Sequence, residues 1–170
     1  MSAALRDCRA MSKSLKRVRA ALDSAGVTVE ITETALSRTA ADAAAALGCE
    51  VDQIAKSIVL RGETSGEAVL FITAGGQKVD LAAAACLAGE ALGKADAALI
   101  RSQTGFAIGG VSPIGHVTPC RKWFDATLLQ FDQIWAAAGT PHHVFGMAPS
   151  DMRQLSGAQV AEFTDLLKKM

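Results

Sequence analysis

Two stretches of the chain hold residues whose type and spacing invite chemistry. The first is Ile54-Ala55-Lys56-Ser57-Ile58-Val59-Leu60-Arg61. Its β-branched content and length predict a strand, with Ile54, Lys56, Ile58 and Leu60 on one face. A lysine in so apolar a row is costly unless it is paired or meets a charged ligand. The alternative is that Lys56 lies near the strand end and snorkels to water. The second stretch is Thr104-Gly105-Phe106, read as a strand, running into Gly109-Gly110-Val111-Ser112-Pro113-Ile114-Gly115-His116. Glycines let a ligand approach main-chain N–H groups, and Pro113 fixes the loop shape. Rigid, outward N–H groups can hold an oxyanion or an ester carbonyl. An ordinary tight connection would use the same residues. The spacing fits neither a P-loop nor a dinucleotide fingerprint, because no long helix follows.

Other chemistries find less support. Ser57 and Ser112 lack the strand-turn-helix setting of a nucleophile elbow. His116, His142 and His143 form no pair with metal-ligand spacing. The adjacent His142 and His143 point to opposite faces if they lie on a strand. Cys8, Cys49, Cys86 and Cys120 make no C-x-x-C pair, so they read as small buried hydrophobes with one or two exposed thiols. No paired carboxylates stand out. No metal and no cofactor is expected.

The elements that must position these residues are short. At 170 residues the chain predicts one domain over 1–170, able to bury ~70% of its unfolded surface. Residues 12–25 read as a helix with Leu15, Val18 and Leu22 on one stripe, and a strand follows through Val27, Val29 and Ile31. Thr39 and Asp80 are placed to cap helices ending near Gly48 and Gly89. Glu67 to Ala74 reads as the return strand of a hairpin. Residues 121–126 and His142 to Met147 read as further strands. Phe131 to Ala138 and Ala158 to Lys168 read as helices, and Ser150 as the cap of a turn through Leu155. The order predicts a mixed α/β, α+β-like fold and argues against a doubly wound parallel sheet.

Charge sharpens the choice of partner. Basic and acidic residues balance at 17 each, which argues against a generic polyanion binder. A local patch remains, because Lys13, Lys16, Arg17 and Arg19 cluster on the first helix. They form a solvated face or a phosphate-contacting one. Aromatic residues make up only 5%, too few for a large stacking platform. There is no membrane-length apolar run and no signal-peptide pattern, so a cytoplasmic protein without membrane contact is expected.

Three motifs in order carry a resemblance. They are Ala55-Lys56-Ser57-Ile58-Val59, then Lys78-Val79-Asp80-Leu81 opening a helix, then Thr104-Gly105-Phe106 with the loop from Gly109 to Gly115. Together they resemble the YbaK / prolyl-tRNA-synthetase-associated editing domain family, over residues 12–167. The resemblance implies a mixed α/β fold with a curved, mainly antiparallel sheet and short flanking helices. It implies trans-editing, the hydrolysis of the ester joining a wrong amino acid to a tRNA, often tRNA(Pro). The family's key lysine falls on Lys56 and its G-x-x-x-P loop on Gly109 to Pro113, and no metal is implied. On this reading N–H groups near Gly109 and Gly110 hold the ester carbonyl. Lys56 binds a phosphate or ribose oxygen of the terminal adenosine. Thr104, Ser112, Pro113 and His116 are expected to bind substrate, and Lys13, Lys16 and Arg17 to contact tRNA. Asp80 is expected to be a helix cap. The implied partners are the acceptor end of aminoacyl-tRNA and prolyl-tRNA synthetase. A non-catalytic tRNA- or synthetase-binding module and a small-molecule esterase are the alternatives.

The chain departs from the family's cysteinyl-tRNA(Pro) deacylases. Glu33-Thr34 stands where that branch has a tyrosine, and Ala137-Ala138-Gly139 where it has a serine before a glycine pair. The amino acid removed is therefore open among cysteine, alanine, serine, threonine and small non-protein residues.

Overall fold

A computed structural model describes residues 12–165. Helix α1 (Lys13–Ser24) starts where the Ser12 hydroxyl accepts from the Leu15 N–H, and it buries Leu15, Val18 and Leu22. The strand expected next is shorter than its alternation suggests. Only Ile31–Glu33 pairs as β1, while Val27 and Val29 pack on the core ahead of it. Helix α2 (Ala40–Leu47) is capped by Thr39 and closed by Gly48 in the left-handed region.

Strands β2 (Ala55–Gly62) and β3 (Ala68–Ala74) form the expected antiparallel hairpin, with Lys56 opposite Thr73. Helix α3 (Leu81–Ala88) follows, and the Asp80 carboxylate accepts from the N–H of Ala82 and Ala83, as a cap should. Then come β4 (Leu92–Lys94) and α4 (Ala97–Thr104). After a long loop the chain continues through β5 (Lys122–Asp125), β6 (Ile134–Ala137), β7 (His143–Met147), α5 (Pro149–Ser156) and β8 (Gln159–Ala161).

The strands make two sheets. One runs β1-β7-β6, all antiparallel. The other runs β4-β2-β3-β5-β8, antiparallel through β3 and parallel from β3 to β8. The fold class is thus the mixed α/β one expected. The largest core cluster joins Leu15, Val18 and Leu22 of α1 to Leu70 and Ile72 of β3, Phe124 of β5, and Ile134 and Phe145 of the smaller sheet. The other face of the larger sheet packs Val69, Phe71 and Trp123 against α3 and Phe163. With both faces covered, β3 is buried along its whole length.

Four local expectations are corrected. Thr104 does not begin a strand; it is the last residue of α4, which Gly105 terminates at φ 82°. Residues 134–137 are strand β6, not helix. Its alanines favour helix locally, but pairing with β7 and burial of Ile134 and Ala136 override that preference. Residues 159–161 add to the larger sheet beside β5 where a closing helix was expected; Leu166, Leu167 and Lys168 lie outside the described residues. Ser150 is not a cap, because Ala148 holds that position and Pro149 opens the helix. No described helix is long and apolar enough to cross a membrane.

Candidate active site

Lys56 sits one residue inside the start of β2, half-buried, and its Nζ donates to the Gly75 carbonyl at 3.2 Å. Both readings of the sequence are partly right. The lysine belongs to an apolar row, since Ile58 and Leu60 pack on a hydrophobic cluster. It also lies close enough to the strand end to reach open space. Gly75 must be glycine, because a Cβ there would overlap the Val51 carbonyl and Ala40. That close approach keeps the carbonyl facing Lys56 beneath α2.

The space Lys56 faces is a cleft of about 550 Å³. Its walls come from the segment leading into α2, the first half of β2, the β6 strand, and the loop from Thr140 into β7. Gly109 and Val111 close it from the glycine-rich loop. Among the described residues the lining holds the cations Arg38 and Lys56 and no aspartate or glutamate. The Ser57 hydroxyl, also in the lining, is buried with no hydrogen-bond partner among the described residues. Thr140 Oγ1 lies 2.6 Å from His143 Nδ1, joining two more lining residues.

The glycine-rich loop divides into two parts. Gly109 is exposed, has φ 89°, and lines the cleft. Gly110 is buried, and its N–H donates to the Ala107 carbonyl at 3.0 Å. That N–H is therefore committed within the loop and does not face a substrate. Gly110 matters instead for packing: a Cβ there would come within 2.9 Å of the Gly139 carbonyl and Thr140 Cα, the backbone of the opposite cleft wall.

The other predicted substrate-binding residues turn inward. Ser112 is fully buried, and its hydroxyl accepts from the Ile114 N–H. Pro113 is buried as well. The Thr104 hydroxyl donates to the Ile100 carbonyl at 2.6 Å and accepts from the Phe106 N–H. His116 donates from Nε2 to the Ser112 carbonyl at 2.6 Å, so its Nδ1 is the acceptor facing Cys120 Sγ at 3.7 Å. Burial, with the nearby Lys122 and Arg17 charges, lowers the His116 pKa to about 4 and keeps the ring neutral. None of these four residues lines the cleft.

Arg17 belongs to the same internal group. Its Nε donates to the Gly115 carbonyl at 2.9 Å, and a second nitrogen donates to the Gly105 carbonyl. The guanidinium also lies 5.0 Å from the centre of the Phe106 ring. Arg17 thus ties α1 to the loop and is not available as a phosphate contact. Lys13 and Lys16 are exposed on the same helix. Sequence reasoning missed Arg38, Trp135, Thr140 and His143 as cleft residues. Trp135 was hidden by reading β6 as helix, and Arg38 carried no local signal beyond preceding a capping threonine.

A family model for the aminoacyl-tRNA editing domain matches residues 34–155. The YwhH protein of Bacillus subtilis (strain 168), itself uncharacterized, is 28% identical over 148 residues, 86% of this chain and 94% of its own. A solved structure of a candidate trans-editing enzyme for prolyl-tRNA synthetase is 42% identical, with a TM-score of 0.85 over 92% of this chain and 99% of that one. Another, from work grafting epitope backbones onto scaffold proteins by computational design, is 41% identical, with a TM-score of 0.84 over 91% of this chain and 99% of that one.

Proposed function

This chain belongs to the aminoacyl-tRNA editing domain family, and we propose that it is a trans-editing hydrolase acting on mischarged tRNA(Pro). The observation that carries the reading is the cleft. It brings Lys56 and Gly109 together, and among the described residues its charged side chains are all cationic. A neutral protein with such a cleft suits the anionic end of a nucleic acid better than a whole polyanion. The choice of tRNA(Pro) draws on the 42%-identical relative described as a candidate trans-editing enzyme for prolyl-tRNA synthetase.

An aminoacyl ester is already activated, so positioning and charge stabilisation suffice without a strong nucleophile. Nothing among the described residues accepts from the Gly109 N–H. It is the loop donor left for the ester carbonyl once Gly110 is committed to Ala107. Lys56 holds a ribose or phosphate oxygen of the terminal nucleotide. Water attacks the carbonyl carbon, the bond to the ribose oxygen breaks, and that oxygen takes up the proton. The neighbouring ribose hydroxyl assists the attacking water. Free amino acid and uncharged tRNA leave. Ala137, on the cleft side of β6, lines the cleft and favours a small side chain, although one methylene distinguishes substrates by only ~1–3 kcal/mol.

The test is deacylation of tRNA(Pro) charged separately with alanine, cysteine, serine and threonine. Hydrolysis of at least one, well above the protein-free rate, is expected. No hydrolysis of any, together with measurable binding, would replace the hydrolase by a binding module.

A further inference from the structure

We infer that Trp135 and Arg38 form a nucleotide subsite in this cleft, the indole stacking on the terminal adenine of the acceptor end and the guanidinium holding its phosphate. The inference rests on the acceptor end being the occupant, and it divides the labour between two cations. Of the two oxygens open to Lys56, this leaves it the ribose oxygen beside the ester, while Arg38 takes the phosphate.

Trp135 is the one aromatic residue of the cleft lining besides the His143 imidazole. On β6, Ile134 and Ala136 face the main core, so Trp135 and Ala137 project from the opposite side. Gly146 stands across from Trp135 on β7. A Cβ at Gly146 would come within 2.9 Å of the indole carbons, so the glycine lets the ring lie against the strand backbone. Ile54 bridges to Trp135, which packs against the cluster that Ile54 forms with Ala43 and Ala44 of α2. The indole is thus held on its protein side and remains half-exposed to the cleft. A fixed ring needs little ordering to receive a base, and every base offers a π-face to it.

Arg38 is exposed in the lining of the same cleft and makes no ion pair or hydrogen bond among the described residues. Arg17, Arg61 and Arg121 differ, being bonded to carbonyls or carboxylates. Arg38 and Trp135 line the same cleft. Arg38 immediately precedes the Thr39 cap of α2, and Ala40 and Ala43 of that helix share a cluster with the indole. A guanidinium with no carboxylate among the described lining residues to neutralise it is suited to a phosphate. A single indole suits one base, which agrees with the scarcity of aromatic residues in the chain.

The chain has two tryptophans, so a full-length Trp123→Phe variant makes Trp135 the sole tryptophan emitter. It is titrated to millimolar levels with adenosine 5′-monophosphate, uridine 5′-monophosphate and inorganic phosphate. Adenosine 5′-monophosphate should quench the emission saturably, uridine 5′-monophosphate less, and phosphate not at all. Arg38→Ala should weaken the adenosine 5′-monophosphate titration by ~10-fold without changing the melting temperature, and Trp135→Leu should raise KM for aminoacyl-tRNA by ~10-fold with kcat little changed. If Trp123→Phe folds poorly, the parent protein serves, since Trp123 is 6% exposed and shielded from the probe. Emission unaffected by adenosine 5′-monophosphate, equal quenching by all three probes, or an Arg38→Ala titration matching the parent would overturn the subsite. Quenching without deacylation of any charged tRNA would leave the subsite standing and overturn the hydrolase. Deacylation without quenching would do the reverse.

Discussion

Around Gly109 the chain faces an open cleft; around His116, in the same glycine-rich segment, Arg17 of α1 and the Thr104 carbonyl at the end of α4 hold the backbone. The first region offers Arg38, an unpartnered Ser57 hydroxyl and a loop N–H to whatever enters, beside Lys56 on the Gly75 carbonyl. In the second, Ser112, Thr104, His116 and Arg17 satisfy one another or nearby carbonyls. Both regions are polar and glycine-rich, and both looked like substrate-binding elements in sequence. The difference lies in whether their donors and acceptors are spent. A buried polar group must be paired, so the inner cluster fixes the loop's shape while the outer one is left to do chemistry.

The largest expected effect is at Lys56. Lys56→Ala should lower kcat/KM for deacylation by ~10²–10³-fold, the scale of removing a donor to developing charge. The melting temperature should stay near the parent's, and a parallel thermal melt checks that. Arg17→Ala attacks the other region. Losing its charged hydrogen bonds should cost ~2 kcal/mol in a denaturant titration, while deacylation by the folded protein changes less than threefold. If Arg17 contacted tRNA instead, the salt slope of binding would fall by about one.

His116 predicts a pH signature confined to the inner region. Its folded pKa of about 4 is below the ordinary 6.5, so the folded state binds fewer protons between those values. Stability is therefore complete above pH 6.5 and is lost as pH falls toward 4, by ~2–3 kcal/mol. His116→Gln, whose amide can keep the bond to Ser112, should flatten that part of a pH-dependent unfolding curve. The smallest effect is at the surface. Replacing Lys13 and Lys16 by alanine should reduce the salt slope of tRNA binding by at most about two, with kcat unchanged.

Much of this was readable from the chain. The β2–β3 hairpin announced itself by alternation and turn residues, and that alternation singled out Lys56. Asp80 and Thr39 were recognisable caps because capping is local. The loop was correctly located, but the direction of its side chains was not legible. Arg17 reaches the Gly115 carbonyl across 98 positions of sequence, and no spacing rule encodes that contact. Strand β6 was misread for a related reason: its alanines favour helix, and only pairing with β7 makes it a strand. That error concealed Trp135 and with it one wall of the cleft.

The division between the two regions is tested most directly by single-turnover deacylation with Lys56→Ala and Ser112→Ala side by side, each shown to be folded. The expected result is a loss of at least ~100-fold for Lys56→Ala and less than ~3-fold for Ser112→Ala. A Ser112→Ala rate that collapses while Lys56→Ala keeps parent activity would place the chemistry in the inner region and contradict the account.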